Sequence, residues 1–191
     1  MTATLAQPIS EIATKWQLDP AHSSVEFGVR HLMIATVKGR FGDISGTVTL
    51  DPNDESAVTV DVAVKTASID TRQEQRDAHL RSPDFFDSEN FPVMTFHGTS
   101  VDGDTESDFR LTGDLTIRGV TRQITLDVTK EGQGSDPWGG MRAAFSAKGK
   151  IDRRDFGLTY NQVLETGGVV VGDEIKISVD VEFTAVPDTT A

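Results

Sequence analysis

Residues 71–96 read TRQEQRDAHLRSPDFFDSENFPVMTF and lie between two runs of alternating apolar and polar residues. Thr71 and Glu74 have the spacing of a capping box, in which each side chain satisfies a free amide of the first helical turn. Ser-Pro-Asp at 82–84 indicates a second helix start, since it combines an N-cap residue, an N1 proline and an early acid. We therefore predict a short helical insertion around residues 72–88 in an otherwise all-β chain.

Two adjacent aromatic residues, Phe85 and Phe86, follow these helix signals. Such large apolar rings serve either to close one end of a β-shell or to anchor the insertion on the shell as core residues. The sequence leaves both roles open. A β-shell with one helical insertion suits a container for an apolar ligand, which is our working hypothesis.

Outside the insertion, apolar residues recur with a period of two within the stretches 25–29, 58–64, 109–117, 124–128 and 175–183. One apolar and one polar face per strand is typical of an antiparallel sheet around a single interior. Short strands joined by turns predict a meander that closes on itself. About eight strands are available, and a barrel of that size is either filled by its side chains or holds one small ligand.

The length of 191 residues fits one domain of barrel or sandwich type. We predict that this domain covers residues 15–186, with a tail at 1–14 and another at 187–191 outside the core. The apolar phase slips across a glycine at residues 41–44, which predicts a β-bulge or a barrel corner.

The composition excludes several classes of function. The chain has 30 acidic and 18 basic residues and a formal charge of −12, which argues against nucleic acids and anionic membrane surfaces as partners. It has no cysteine, so disulfides, thiolate nucleophiles and cysteine-based metal sites are excluded. No run approaches the roughly 20 apolar residues of an integral membrane segment, and no signal-peptide pattern is visible, so we predict a cytoplasmic protein.

The histidines His22, His31, His79 and His97 are enough in number for a metal site. No two of them are spaced i,i+2 or i,i+4, so no strand or helix presents a pair of ligands. The Asp-Arg-Arg-Asp sequence at 152–155 is interpreted either as a loop of ion pairs or as a contact for an anionic head group. We predict no metal, no cofactor and no catalytic residue.

A series of short motifs covers residues 16–184, and their order and spacing are specific although each motif alone is weak. The motifs are WQLDPAHSSVEF (16–27), HLM (31–33), VKGRF (37–41), SIDT (68–71), RDAHLRSPDFF (76–86), FPVMTF (91–96), TGDLTIRGVT (112–121), RRDFGL (153–158) and VGDEI (171–175). On these motifs the chain resembles the YceI-like polyisoprenoid-binding proteins.

This resemblance implies a lipocalin-like, extended antiparallel eight-stranded β-barrel. It also implies an elongated apolar tunnel that takes a long isoprenoid or a similar lipid, and it implies no catalytic residues. Relatives suggest a homodimer, and many are periplasmic or secreted, whereas no leader is visible in this sequence. The function expected from the resemblance is the sequestration or transport of a quinone tail or prenyl chain.

The strand phases predict which side chains face the interior. Each buried CH₂ group of a lipid contributes about 0.8 kcal/mol, so a long chain can bind tightly without any hydrogen bond. The predicted ligand-binding residues, with the two insertion aromatics included, are Phe27, Val29, Phe41, Val60, Val62, Phe85, Phe86, Met94, Phe96, Leu115, Ile117, Phe145, Ile177 and Val179.

Two other functions compete with lipid binding. An enzyme acting on an isoprenoid lipid would use the tunnel as its substrate channel, with His31 or His79 as the acid or base. An interaction module, related to stress, would have a filled barrel and take up no ligand. The enzyme predicts a histidine that faces the tunnel, and the module predicts an interior without space.

Overall fold

The protein is described by a computed structural model that covers residues 14–51, 54–162 and 169–187, and the side chains of residues 54–57 are not described. The predicted tails therefore lie almost wholly outside the described residues. The strands in the described residues are β1 (Lys15–Leu18), β2 (Ser24–His31), β3 (Ala35–Phe41), β4 (Ile44–Asp51), β5 (Asp54–Lys65), β6 (Ile69–Asp70), β7 (Val93–Gly103), β8 (Asp108–Ile117), β9 (Val120–Ser135), β10 (Met141–Asp152) and β11 (Val171–Val186).

These strands form one antiparallel sheet that closes on itself through β1. Trp16 in β1 pairs with Ala185 of β11 on one side and with Val48 of β4 on the other. From β4 the hydrogen-bonded strands follow in the order β4, β5, β7, β8, β9, β10 and β11. With β1 between β11 and β4, the ring has eight strands. The predicted eight-stranded, lipocalin-like antiparallel barrel is confirmed.

The three strands left over extend strands of the ring rather than adding new ones. β2 pairs with β11 beyond the end of β1, β3 pairs with β2, and β6 pairs with β3. Thus β1 with β2, β3 with β4, and β5 with β6 are three long strands, each interrupted by a bend. The bend at residues 41–44 accounts for the slip in apolar phase, because Phe41 and Ile44 are both buried although they are three residues apart.

The barrel has two ends that differ in their connections. The end called here the insertion end carries the insertion at 71–92 and the turns at 32–34 and 118–119. The opposite end, called the terminal end, carries the turns at 104–107 and 136–140. β1 starts and β11 finishes at the terminal end, since Lys15 pairs with Val186.

The predicted helical insertion contains one α-helix, α1 (Glu74–Arg81), but the predicted caps were wrong. Gln73 is the N-cap residue, and its side chain accepts a hydrogen bond from the amide of Arg76. The Thr71 hydroxyl, expected to cap the helix, donates to the buried Asp77 carboxylate. That carboxylate offers the hydroxyl a partner inside the protein, where an unpaired group costs most.

The second predicted helix start was also wrong. Ser82 ends α1, with its amide and its hydroxyl both donating to the carbonyl of His79, at 3.1 and 2.7 Å. A turn follows at residues 83–86, and the amides of Phe85 and Asp87 return to the Ser82 carbonyl. Burial of the Phe85 ring favours this turn over a further helix.

Charged side chains hold the insertion together and fix it to the barrel. Within the insertion, Asp77 accepts from the Thr71 amide at 2.9 Å and from the Thr71 hydroxyl. Arg81 donates to the carbonyls of Ala67 and Ile69, both at 2.8 Å. Hydrogen bonds to charged groups stabilise a fold more than neutral ones do.

We expect Asp77→Ala to lower the free energy of unfolding by about 2–3 kcal/mol, because it leaves the Thr71 amide and hydroxyl buried without an acceptor. Urea denaturation measures this change. The matched control is Asp84→Ala, because Asp84 is exposed and contacts His79; its effect should stay within about 0.5 kcal/mol. Equal effects of the two substitutions would contradict a structural role for the Asp77 carboxylate.

Candidate functional site

The interior of the barrel contains a cavity of about 360 Å³ that extends along its length. Leu80 and Phe85 line it at the insertion end, whereas Val101 and Phe109 line it near the terminal end. The volume lies within the range of about 300–1,000 Å³ that is usual for small-molecule sites. The barrel is therefore open inside rather than filled by its own side chains.

Every residue that the sequence predicted for ligand binding has a place in the cavity wall; contact with a ligand stays a prediction. These residues are Phe27, Val29, Phe41, Val60, Val62, Phe85, Phe86, Met94, Phe96, Leu115, Ile117, Phe145, Ile177 and Val179.

Several further apolar wall residues were missed by the prediction. Some could have been found from the strand phase, since Val25 is in phase with Phe27, and Leu111 is in phase with Leu115. Others, such as Leu158, lie outside regular strands and gave no periodic signal. The missed apolar residues are Trp16, Val25, Val48, Leu50, Val58, Val64, Leu80, Val101, Phe109, Leu111, Ile124, Leu126, Val128, Ala143, Ala147, Ile151, Leu158, Val171, Ile175, Val181 and Phe183.

Two glycines make room for aromatic rings beside the wall. A Cβ on Gly39 would lie 2.4 Å from the Phe27 ring, and one on Gly113 would lie 2.5 Å from the Phe96 ring. Real Cβ atoms do not approach so closely, so any larger residue would push these rings toward the lumen. The glycines thereby leave the centre of the barrel free.

Aromatic side chains of the insertion pack against the barrel at the insertion end. The Phe85 ring packs against Tyr160, with centroids 5.2 Å apart, and the Phe86 ring meets Phe41 edge-on at 5.6 Å. Both phenylalanines also line the cavity. Both residues therefore anchor the insertion on the shell, as one of the two predicted roles requires, and closure of the shell stays a prediction.

Arg153 also lines the cavity, and it is almost completely buried. Its guanidinium donates to the carbonyls of Gly172, Leu158 and Tyr160 and to the Asp173 carboxylate. Burial lowers the pKa of this guanidinium from its ordinary value. Because most of its N–H groups are already bonded within the protein, Arg153 joins the loop after β10 to β11. This geometry gives no support to the alternative interpretation that an arginine here contacts an anionic head group.

The neighbouring residue, Arg154, agrees with the interpretation of residues 152–155 as a loop of ion pairs. It forms ion pairs with Asp152 at 2.6 Å and with Asp173 at 3.3 Å, and its side chain is exposed. The hydrogen bond from Arg154 lowers the pKa of Asp152 to about 2. The Asp-Arg-Arg-Asp sequence is therefore a loop of ion pairs with one arginine turned inward.

At the terminal end, polar residues of a turn border the cavity. Asp104, Thr105 and Glu106 form part of the lining there. Lys130 is in phase with the inward residues of β9, and its side chain is only 6% exposed. It donates to the Glu106 carboxylate and to the Gln133 side chain. The cavity wall is thus apolar along most of its length, and its rim at the terminal end is polar and contains an ion pair.

None of the four histidines, all of which lie in the described residues, lines the cavity. His79 contacts Asp84 at 2.8 Å and His97 contacts Asp61 at 2.7 Å, both on the outside of the protein. His31 is half-buried at the end of β2. The geometry gives no support to His31 or His79 as an acid or base acting in the tunnel.

One group in the described residues, Asp19, His22 and Glu182, has ligand atoms close enough to share a metal ion. Arg142 already supplies the cation at this place. It donates to Asp19 at 2.7 Å, to Glu182, and to Asp136 at 3.2 Å. The group is most simply a network of ion pairs that ties β10 to β11 and to the bend after β1.

The ion pairs of Arg142 predict how the free energy of unfolding depends on pH. Its hydrogen bond, followed by that of His22, holds the pKa of Asp19 well below the ordinary 3.8. The pKa of Asp136 is lowered by the Gly140 amide and then by Arg142. Because folding lowers both values, the two carboxylates stabilise the fold above their ordinary pKa, and this stabilisation is lost as the pH falls below about 4.

We therefore expect the free energy of unfolding to fall between pH 6 and pH 3, and to fall less in Arg142→Met, which has already lost the pairing. Urea denaturation at both pH values measures this difference. Arg110→Met is the matched control, because Arg110 pairs with the exposed Asp102 and should keep the wild-type pH dependence. A fall as large in Arg142→Met as in the wild type would contradict the role given to Arg142.

Comparison with known proteins shows the family to which this barrel belongs. The family model described as YceI-like domain matches residues 16–183. The chain belongs to the YceI-like family. Protein YceI of Escherichia coli O17:K52:H18 (strain UMN026 / ExPEC) is 43% identical over 151 residues, 78% of each chain. A UPF0312 protein of Staphylococcus aureus strain MSSA476 is 39% identical over 172 residues, which are 90% of this chain and 98% of that protein.

Solved structures of one YceI protein and of two proteins of lower identity show the same fold. The Campylobacter jejuni YceI protein is 34% identical, with a TM-score of 0.69 over 83% of this chain and 90% of that one. Burkholderia cenocepacia BcnA has a TM-score of 0.74 at 23% identity, over 86% and 98% of the two chains. A domain from Saccharophagus degradans, described as polyisoprenoid binding, has a TM-score of 0.67 at 15% identity, over 91% and 99%.

Proposed function

We propose that this protein binds one long-chain lipid of the polyisoprenoid type, such as a prenyl chain or a quinone tail, inside the barrel. The observation that carries the proposal is the continuous apolar cavity, which extends from Leu80 at the insertion end to Phe109 near the terminal end. A lipid tail of this kind offers only apolar surface, and burial of that surface supplies the affinity. Membership of the YceI-like family and the fold shared with a polyisoprenoid-binding domain support the same ligand class.

The two tryptophans allow a direct test. Trp16 is buried and lines the cavity, whereas Trp138 is 85% exposed in the turn at 136–140. In a Trp138→Phe variant the emission comes from Trp16 alone. We expect a long-chain lipid that carries bromine atoms along its tail to quench this emission and to saturate at one lipid per chain.

The matched control is Trp16→Phe, in which only the exposed Trp138 emits. The brominated lipid should leave that emission unchanged, because Trp138 lies outside the cavity. Quenching of both single-tryptophan variants would indicate lipid on the surface, and quenching of neither would contradict the proposal.

Three further proposals accompany lipid binding: the role of the binding, the cellular location and the oligomeric state. We extend the proposal to sequestration or transport without catalysis, which a wall that is apolar over most of its length supports and which a lipid transfer assay between vesicles tests. The cytoplasmic location predicted from the sequence is tested by cell fractionation. A homodimer is tested by light scattering. In the described residues, no helix has the length and apolar character required to cross a bilayer.

A further inference from the structure

The turn between β2 and β3 is built from residues that suit its backbone poorly. Leu32 and Met33 have φ angles of 51° and 59°, and the Ile34 amide donates to the His31 carbonyl at 3.1 Å. Positive φ at both central positions is characteristic of type I′ hairpin turns, which strongly favour asparagine, aspartate or glycine there. Bulky residues rarely adopt this conformation, since their Cβ atoms meet the backbone.

A second turn at the same end of the barrel has a favoured residue, glycine, at one of its two central positions. Between β8 and β9, Arg118 has a φ of 50° and is followed by Gly119 with a φ of 73°. The β2–β3 turn therefore lacks the residue types that would stabilise its backbone conformation. Local strain of this kind, when it is observed, is a reason to look for a function at the same place.

The strained turn presents apolar side chains to solvent. The described residues include four large hydrophobic side chains with high exposure, namely Met33 (56%), Ile34 (79%), Val93 and Trp138. Met33, Ile34 and Val93 all lie at the insertion end, since Val93 is the first residue of β7. Arg30 stands behind the turn and donates to the Met33 carbonyl at 2.7 Å.

The charges of the protein are distributed unevenly between the two ends. The Lys and Arg residues close to the terminal end are Lys15, Arg110, Lys130 and Arg142, and acidic residues are dense there, both in the turn at 104–107 and on the strands around it. Most other bases, including Arg30, Arg72 and Arg118, lie at or toward the insertion end. In the described residues the acid excess therefore lies mainly at the terminal end, while the insertion end carries acids, among them Glu74, Asp84 and Asp155, as well as bases.

We infer that the insertion end docks on the surface of a lipid bilayer, with Met33 and Ile34 placed among the acyl chains and Arg30 at the level of the phosphate groups. Apolar side chains with a cation beside them suit the boundary between head groups and acyl chains. The acidic terminal end points away from the membrane in this orientation. Val29 and Val171, which line the cavity, flank the turn on β2 and β11, so docking brings one end of the cavity to the bilayer.

Flotation of the full chain with phosphatidylcholine vesicles tests this inference, and no lipid needs to be bound in the barrel. The test variant is Leu32→Asn, Met33→Gly and Ile34→Thr, which gives the turn its favoured residues and removes the exposed apolar groups. We expect the wild type to float, and the variant to float at least fivefold less while its thermal midpoint stays equal or rises. The matched control, Trp138→Ser, removes an exposed apolar side chain from the opposite end and should float like the wild type.

Four results would overturn the inference: a wild type that does not float, a triple variant that floats like the wild type, a triple variant that is unfolded, or a loss of flotation in Trp138→Ser as well. If the triple variant instead changed the mass of the particle in light scattering while no form floated, the turn would be a contact between two copies of the chain. Quenching of Trp16 by a brominated lipid reports on the cavity separately, so failure of docking is distinguishable from failure of lipid binding.

Discussion

Replacement of Ala147 by phenylalanine is expected to abolish lipid uptake while the barrel stays folded. Ala147 is a buried residue of β10 whose side chain faces the cavity. A larger side chain forced into a filled core costs about 1–3 kcal/mol. Here the new ring enters the open space of about 360 Å³, so the cost of overpacking is small and the ring occupies the volume that the lipid needs.

The measurements are quenching of Trp16 by the brominated lipid and urea denaturation of the same samples. The matched control is Ala144→Phe, on the same strand but outside the cavity wall, where Ala144 pairs with Glu182. The control should bind lipid as the wild type does. Retained lipid uptake in Ala147→Phe, or a loss of about 1–3 kcal/mol in its stability, would indicate that the position belongs to a packed core and not to a ligand space.

The second large effect is expected at Arg153. Replacement by methionine removes the donor that satisfies the carbonyls of Gly172, Leu158 and Tyr160 and that pairs with Asp173. Loss of one partner from a buried charged network costs about 3–5 kcal/mol, and we expect Arg153→Met to lower the free energy of unfolding by that amount. Because these bonds join the loop after β10 to β11, hydrogen exchange of the Leu158 amide should also accelerate.

Arg154→Met provides the matched control for this prediction. Arg154 is adjacent in sequence and also pairs with Asp173, but its side chain is exposed. Exposed ion pairs contribute about 0–1 kcal/mol, so the control should lose no more than that. If the two substitutions had equal effects, Arg153 would contribute as a surface ion pair does, and its hydrogen bonds would not hold the loop.

The period-two pattern was sufficient to predict much of the cavity wall. Residues such as Phe27, Val29 and Val62 alternate with polar neighbours because one strand face meets the interior and the other meets water. The same reasoning predicted the bend at 41–44. It could not decide between an open and a filled barrel, because that depends on how the Phe96 ring lies over Gly113.

Other features depend on contacts between parts of the chain that are distant in sequence. Thr71 and Ser82 were predicted to begin helices, but both can bond alternative partners, and the tertiary structure decides which partner is used. Arg153 and Arg154 are equivalent in the sequence, and only the fold places one inside the protein and the other outside. Lys130 is in phase with the apolar residues of β9, and its burial depends on the Glu106 carboxylate opposite.

Native mass spectrometry of gently purified protein, followed by solvent extraction, tests lipid binding in the barrel most directly. We expect a population that carries a single added mass of several hundred daltons, released by the solvent as a prenyl or other long-chain lipid, and absent from Ala147→Phe purified in the same way. A wild-type protein that stays at its apo mass of 20.7 kDa, even after incubation with long-chain prenyl lipids, would contradict the proposal that this cavity holds a lipid.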